Sequence, residues 1–263
     1  THIIDEARRG GRCEIKVVFS PEHGFTTSVK DGEKIIGEEY NPEYKVDIYS
    51  LYGGTYRPPK EKLEEIEILL FDLQDVGTRW YTYISTLYYC IEACGRNHTP
   101  LIILDRPNPI NGEILEGPIL KREYRSFVGI AEIPIRYALT IGELANYFNK
   151  EYNLNAEIQL IPMENWSRDQ WFRDTGLIWI PPSPNMPTPE TAMIYPGTCL
   201  IEGTNVSEGR GTTNPFQIIG APWIKPKKIA EELNKAGLPG VRFRPIIFTP
   251  RHQKYAGETC GGI

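Results

Sequence analysis

The sequence predicts an α/β fold built on a parallel sheet covered on both faces. Three short apolar runs carry the prediction, at residues 14–20, 66–71 and 101–104. Each is continuous rather than alternating, which is how a strand buried on both faces reads. Segments of helical length separate the runs, and each run gives way to a polar cluster at its carboxyl end.

Residues 3–9 read as a helix. The strand at 14–20 ends in Ser20-Pro21-Glu22-His23-Gly24, where proline removes a backbone donor and stops regular structure. The strand at 66–71 runs into Asp72-Leu73-Gln74-Asp75-Val76-Gly77-Thr78-Arg79, and a helix is expected over 81–95. The strand at 101–104 is followed by Asp105-Arg106-Pro107-Asn108-Pro109. Thr140-Ile141-Gly142-Glu143 is a capping box: the hydroxyl satisfies a free helix N–H while the glutamate reaches back. It opens a helix to about Asn149, and a strand follows at 156–161. Residues 179–189 hold five prolines and must be irregular. Trp179, Asn185 and Met186 are interleaved among them, so a stiff loop walling a pocket is expected there. Within 195–216 a short strand at 199–201 leads into a loop of small polar residues carrying Glu202, Glu208 and Arg210. A break at Gly220-Ala221-Pro222-Trp223 precedes a helical segment, 226–240, and a strand, 241–248. The expected division is therefore 1–220 and 221–263.

A chain of 263 residues can bury roughly 75 % of its unfolded surface. Its net charge of -5 argues against a nucleic-acid binder, which would carry a basic face. No apolar run reaches the roughly 20 residues needed to span a bilayer. The five cysteines show no CxxC spacing and read as buried small hydrophobes rather than a zinc site or disulfide framework.

In parallel α/β sheets ligands bind beyond the carboxyl ends of the strands. Glu22, His23, Asp72, Asp75, Arg79, Asp105, Arg106 and Asn108 are therefore expected to converge on one cleft. The chain has no GxGxxG, P-loop or GxSxG motif. Carboxylates, arginines, tyrosines and amides are the equipment of a sugar site, where carboxylates do acid–base work on a glycosidic bond. Glu22 is the candidate acid; beside a wall of low dielectric it would hold its proton near neutral pH. Plainer readings stand next to these. Asp72 and Asp105 can bond loop amides, Arg79 and Arg106 can pair with them, and His23 can cap its loop. Arg210 has no evident local partner. Two other functions fit the same residues: a non-catalytic sugar-binding module, or a metal-dependent hydrolase using His23, Asp72, Asp75 and Asp105.

Taken in order, SPEHG, FDLQDVGTRWYTYIST, LDRPNP, TIGELA, PPSPNMPT and IEGTNVSEGRGTTNPF resemble the exo-β-N-acetylmuramidase (NamZ) family of peptidoglycan hexosaminidases. The resemblance covers residues 17–223. It implies a Rossmann-like domain without nucleotide and a smaller α+β C-terminal domain, cut short here, with the active site in the cleft between them. The implied reaction releases N-acetylmuramic acid from the non-reducing end of cell-wall fragments, without cofactor or metal. The implied partners are MurNAc-GlcNAc saccharides, with no nucleic acid and no membrane span. The family's proposed acid falls on Glu22, with His23 beside it. Asp75, Arg79, Tyr81, Tyr83, Asp105, Arg106, Asn108, Asn185, Glu202, Asn205, Glu208 and Arg210 fall on motif positions that would bind substrate. Arg210 and Arg79 are the candidates for the lactyl carboxylate. Glu202, Glu208 or Asp75 would serve as second carboxylate, or else the substrate's 2-acetamido group attacks and a carboxylate orients it. The resemblance also implies export, to the periplasm or beyond. A family histidine-glycine pair is replaced by Tyr137-Ala138. The family's first strand is expected to precede Thr1, and most of the C-terminal domain to follow Ile263.

Overall fold

The computed structural model describes residues 2–27 and 38–263. The chain divides into two compact units, Thr1–Pro184 and Asn185–Ile263, a boundary earlier than the break expected at Gly220.

The first unit opens with α1 (Ile3–Gly10), capped by the His2 side chain, which accepts from the Ile4 N–H. Strand β1 (Val17–Ser20) pairs in parallel with β3 (Val46–Ser50), and β2 (Glu38–Asn41) flanks β3 antiparallel. A search for apolar runs passes over β3 because it alternates buried and half-buried positions instead of running continuously apolar. After the short α2 (Lys60–Leu63) comes β4 (Leu69–Phe71), then α3 (Tyr83–Asn97) and β5 (Leu101–Leu104). Helix α4 (Ile141–Glu151) and β6 (Ile158–Ile161) complete the unit.

The parallel sheet is present as β4-β5-β6, and β1 belongs to a second sheet, β1-β3-β2. The single sheet expected through 14–20, 66–71 and 101–104 is thus two hydrogen-bonded sheets among the described residues. Both contribute to one core, where Phe19 of β1 packs against the cluster built by β4, β5 and the helices. Leu69, Phe71, Leu101 and Ile103 face Ile84, Leu87 and Ile91 of α3 and Leu144 and Phe148 of α4. Each such side chain contributes about 1.5–3 kcal/mol by leaving water. The opposite face is less covered than expected, with Leu70 42 % exposed. Cys90 and Cys94 belong to the core as small apolar groups, and all five cysteines are free.

The α4 capping box forms as the sequence indicates: Thr140 Oγ1 accepts from the Glu143 N–H, and Glu143 Oε2 accepts from the Thr140 N–H.

The second unit begins inside the proline-rich segment, which is irregular up to Thr188. Its last proline is the first residue of a helix, α5 (Pro189–Thr198), where a missing N–H costs nothing. The strand expected at 199–201 is a 3-10 turn, Cys199–Gly203. Small polar residues after it leave no partner strand, so the chain keeps the helical sense of α5. Strands β7 (Gly220–Ala221), β8 (Ile246–Phe248) and β9 (Cys260–Gly262) form an antiparallel sheet in the order β7-β9-β8. Helix α6 (Pro226–Lys235) lies between β7 and β8 in sequence. It ends before the expected Gly240, since Gly237 sits at φ +62° in the left-handed region. The strand begins only after Pro245, which has no N–H to give a ladder.

Candidate active site

In the first unit the site is built on the SPEHG loop. Pro21 ends β1, and Glu22 and His23 are buried beyond it, 8 % and 4 % exposed. His23 sits at φ +75°, a left-handed conformation that costs a non-glycine residue roughly 1–3 kcal/mol and is kept where the surroundings demand it. The loop after β4 supplies the carboxylate's partner: Thr82 Oγ1 donates to Glu22 Oε2 at 2.8 Å. Tyr83, the first residue of α3, donates its hydroxyl to the Pro182 carbonyl at 2.5 Å and lies 3.5 Å from the Glu22 carbonyl. Its ring meets Tyr81 edge to face, centroids 4.8 Å apart. Burial raises the Tyr83 pKa, and the charges of Glu22 and Asp75 raise it further, so this phenol stands close to both carboxyl groups. Pro182 and Ser183 are buried, and the proline-rich loop reaches this site within the first unit through the Pro182 carbonyl that accepts from Tyr83.

Asp75, within the loop after β4, is also buried. Its Oδ2 accepts from the Gly77 N–H at 2.7 Å and from the Tyr137 hydroxyl, while Oδ1 is buried without a hydrogen-bond partner. Burial raises its pKa to about 6, against the lowering effect of Tyr137 and of the Gly77 and Val76 N–H groups. Tyr137 is therefore a buried hydrogen-bond donor to Asp75.

The remaining residues of this unit are engaged elsewhere. Asp105 caps α4: Oδ1 accepts from the Gly142 and Arg106 N–H groups, and Oδ2 from the Thr140 hydroxyl. Its pKa is raised by burial. Asn108 shapes its own turn, accepting from the Ile110 N–H and donating to the Leu139 carbonyl. Arg106 pairs with Asp72 at 2.6 Å. The Arg79 guanidinium holds the carbonyls of Pro118 and Ile133, at 2.8 and 2.5 Å. The expected convergence is thus partial: Glu22, His23, Tyr81, Tyr83 and Asp75 come together, while Asp72, Arg79, Asp105, Arg106 and Asn108 brace the surrounding loops. Asp72 and Asp105 are tied separately, and among the described residues no three His, Cys, Asp or Glu side chains gather into a metal-binding group.

In the second unit, Arg210 has partners that its glycine-rich context hid. It pairs with Glu202 at 2.7 Å and lies 3.6 Å from Glu208. Lys254 stands 3.2 Å from Glu208 and donates to the carbonyls of Ile201, Glu202 and Val206. Asn205 is exposed and gives its carbonyl to Tyr255, and Asn185 is buried. Thr82 and Lys254 were missed by sequence reasoning. Lys254 lies about 50 residues from its partners and carries no local signal, but Thr82 sits inside the FDLQDVGTRWYTYIST motif and could have been found there.

Removing the Thr82 hydroxyl tests the geometry around Glu22. Thr82→Val should lower kcat about 10- to 100-fold with little change in KM, since the Thr82 bond strengthens as Glu22 gives up its proton and a hydrogen bond to a charged group contributes about 1.5–3 kcal/mol. Steady-state rates on wall disaccharide check it; unchanged rates would remove Thr82 from the site.

Comparison with known proteins bears on this arrangement. The family profile described as exo-beta-N-acetylmuramidase NamZ, N-terminal, matches residues 1–190, and its C-terminal counterpart matches residues 193–263. The peptidoglycan beta-N-acetylmuramidase NamZ of Bacillus subtilis (strain 168) is 49 % identical over 250 residues, covering 95 % of this chain. The chain spans 60 % of that relative's length. Crystal structures of two DUF1343 family proteins from Bacteroides fragilis NCTC 9343 share the fold over all of this chain and 67 % of theirs. Their TM-scores are 0.90 and 0.78, at 37 % and 34 % identity. A buried PEHG glutamate, the ordered motifs and a profile match along nearly the whole length agree: the chain belongs to the exo-β-N-acetylmuramidase NamZ family.

Proposed function

We propose that this protein is an exo-acting glycosidase that releases N-acetylmuramic acid from the non-reducing end of peptidoglycan fragments, with Glu22 as general acid. The observation that carries the reading is the buried Glu22 carboxyl, one oxygen of which is held by Thr82, in a chain of this family. As the bond between the anomeric carbon and the bridging oxygen breaks, Glu22 passes its proton to that oxygen, which leaves on the shortened chain. Water supplies the hydroxyl to the anomeric carbon and returns a proton to Glu22. Tyr81, Tyr83 and His23 line the pocket, and the Arg210 pair with Glu202 and Glu208 belongs to the substrate-binding set of the second unit. The substrate is taken to be MurNAc-GlcNAc saccharides, met outside the cytoplasm.

The test is release of free N-acetylmuramic acid by the intact protein, from a MurNAc-GlcNAc disaccharide and from oligomers whose non-reducing end is either MurNAc or GlcNAc. Release from MurNAc-ended substrates alone, unaffected by EDTA, is expected. Binding of the disaccharide without release would make the protein a sugar-binding module. Loss of release in EDTA would make it a metal-dependent hydrolase.

A further inference from the structure

The acid chemistry assigned to Glu22 leaves one buried pair unused. The Tyr137 hydroxyl donates to Asp75, and nothing in that chemistry calls for it. Asp75 opens the loop that ends at Thr82, and the loop is stitched along its length to the segment carrying Tyr137. The Arg79 N–H donates to the Ile135 carbonyl at 2.9 Å, and Thr78 bridges Arg136. At the other edge, Gln74 Nε2 donates to the carbonyls of Asp75 and Pro107. The loop's last residue before α3 holds the Glu22 carboxyl.

We propose that Tyr137, acting through Asp75, is a positioning residue for Glu22: the pair anchors the near end of the 75–82 loop and thereby sets the Thr82 hydroxyl against the acid. The catalytic consequence rests on the glycosidase reading; the geometric coupling does not. Asp75 and Tyr137 are buried, 6 % and 2 % exposed, and Oδ1 of Asp75 has no surface for a ligand to touch, so the pair works from beneath the site. Ionised, Asp75 holds charge-assisted bonds from Tyr137 and Gly77, about twice as strong as neutral ones; protonated, it holds them more weakly. The anchor is therefore firm above the Asp75 pKa of about 6 and slack below it.

Among the described residues few other groups bear on this titration. Tyr137 and the backbone N–H groups of Val76 and Gly77 lower the Asp75 pKa. Tyr83, whose pKa burial and the charges of Glu22 and Asp75 raise, stays a neutral phenol. Asn108, over Gly77, carries no charge, and the Arg79 guanidinium is turned to the Pro118 and Ile133 carbonyls. The Tyr137 pKa lies well above its usual value, through burial and then Asp75, so it remains a donor throughout. Since the Tyr137 bond lowers the Asp75 pKa, removing the hydroxyl moves that pKa upward.

The experiment is a carboxyl-carbon NMR titration of the intact protein, its Tyr137→Phe variant and its Asp75→Asn variant, with kcat measured over the same pH range. Thermal melting confirms that each is folded. In the wild type the Asp75 step near pH 6 should be mirrored in the Thr82 amide and the Glu22 carboxyl. In Tyr137→Phe all three should move together to higher pH, and the acid limb of kcat should move with them, KM changing little. In Asp75→Asn the mirrored step and the limb should vanish. Thr82 and Glu22 signals blind to the Asp75 step, or a step left in place by Tyr137→Phe, would overturn the coupling. The NMR signals decide the coupling even if the protein releases no sugar, an outcome that would instead remove the glycosidase reading.

Discussion

Replacing Glu22 by glutamine is expected to lower release of N-acetylmuramic acid by about 100- to 10,000-fold, the usual contribution of a positioned proton donor. The amide is the right probe because it nearly preserves shape. Its carbonyl oxygen can still accept from Thr82, so the 2.8 Å contact and the loop that makes it survive. Only the transferable proton is lost. The loss should depend on the leaving group. A disaccharide, whose sugar alkoxide must be protonated to depart, should show the full deficit. A nitrophenyl N-acetylmuraminide, whose phenolate departs unaided, should show a much smaller one. Parallel measurement of both substrates decides the role. A deficit of equal size on the two would mean that Glu22 orients the sugar, and a variant as fast as the wild type would clear Glu22 of any part in the chemistry.

The second large effect concerns the loop that faces Glu22. Gly77→Ala is expected to destabilise the first unit by about 2–5 kcal/mol, the sum of a left-handed backbone and an overpacked side chain. Gly77 lies at φ +76°, and a Cβ there would stand 2.3 Å from Asn108 Oδ1 and 2.6 Å from Ile110 Cγ1. Asn108 cannot give way cheaply, because it accepts from the Ile110 N–H and donates to the Leu139 carbonyl. Gly176 is the control. It has a similar φ, +68°, with nothing within 4 Å of an added Cβ. Its alanine variant should lose only the backbone part, about 1–2 kcal/mol. Urea unfolding of both separates the two costs. Equal midpoints would show that the loop yields, and that the close packing under Thr82 is not what holds it.

Much of the chemistry is legible before the fold. Apolar runs locate β1, β4 and β5, since continuous apolar residues have one economical use in a chain of this composition. Thr140 and Glu143 announce α4, because a helix start needs donors satisfied within a few residues. The PEHG glutamate stands out because its loop stops a strand without needing a carboxylate to do so. Where the sequence misleads, the cause is distance along the chain. Arg210 looks unpaired because Glu202 reaches it only by way of the 3-10 turn, and Lys254 approaches Glu208 from far downstream. Residues 199–201 have the β-branched and apolar character of a strand, yet with no neighbouring strand to pair they stay in the turn that follows α5.

What the sequence determined by itself is local: where strands and helices begin, which positions have no N–H, which loops carry carboxylates, and which family the motifs match in order. The tertiary structure decided the division of labour among those polar residues. Asp105 became a helix cap and Arg79 a brace, while Glu22 received the Thr82 hydroxyl and Asp75 a buried phenol. The physical reason is that a polar side chain's role follows from the donors and acceptors it meets in the interior. Those partners are set by how segments 30 to 60 residues apart pack against one another, which no local pattern encodes.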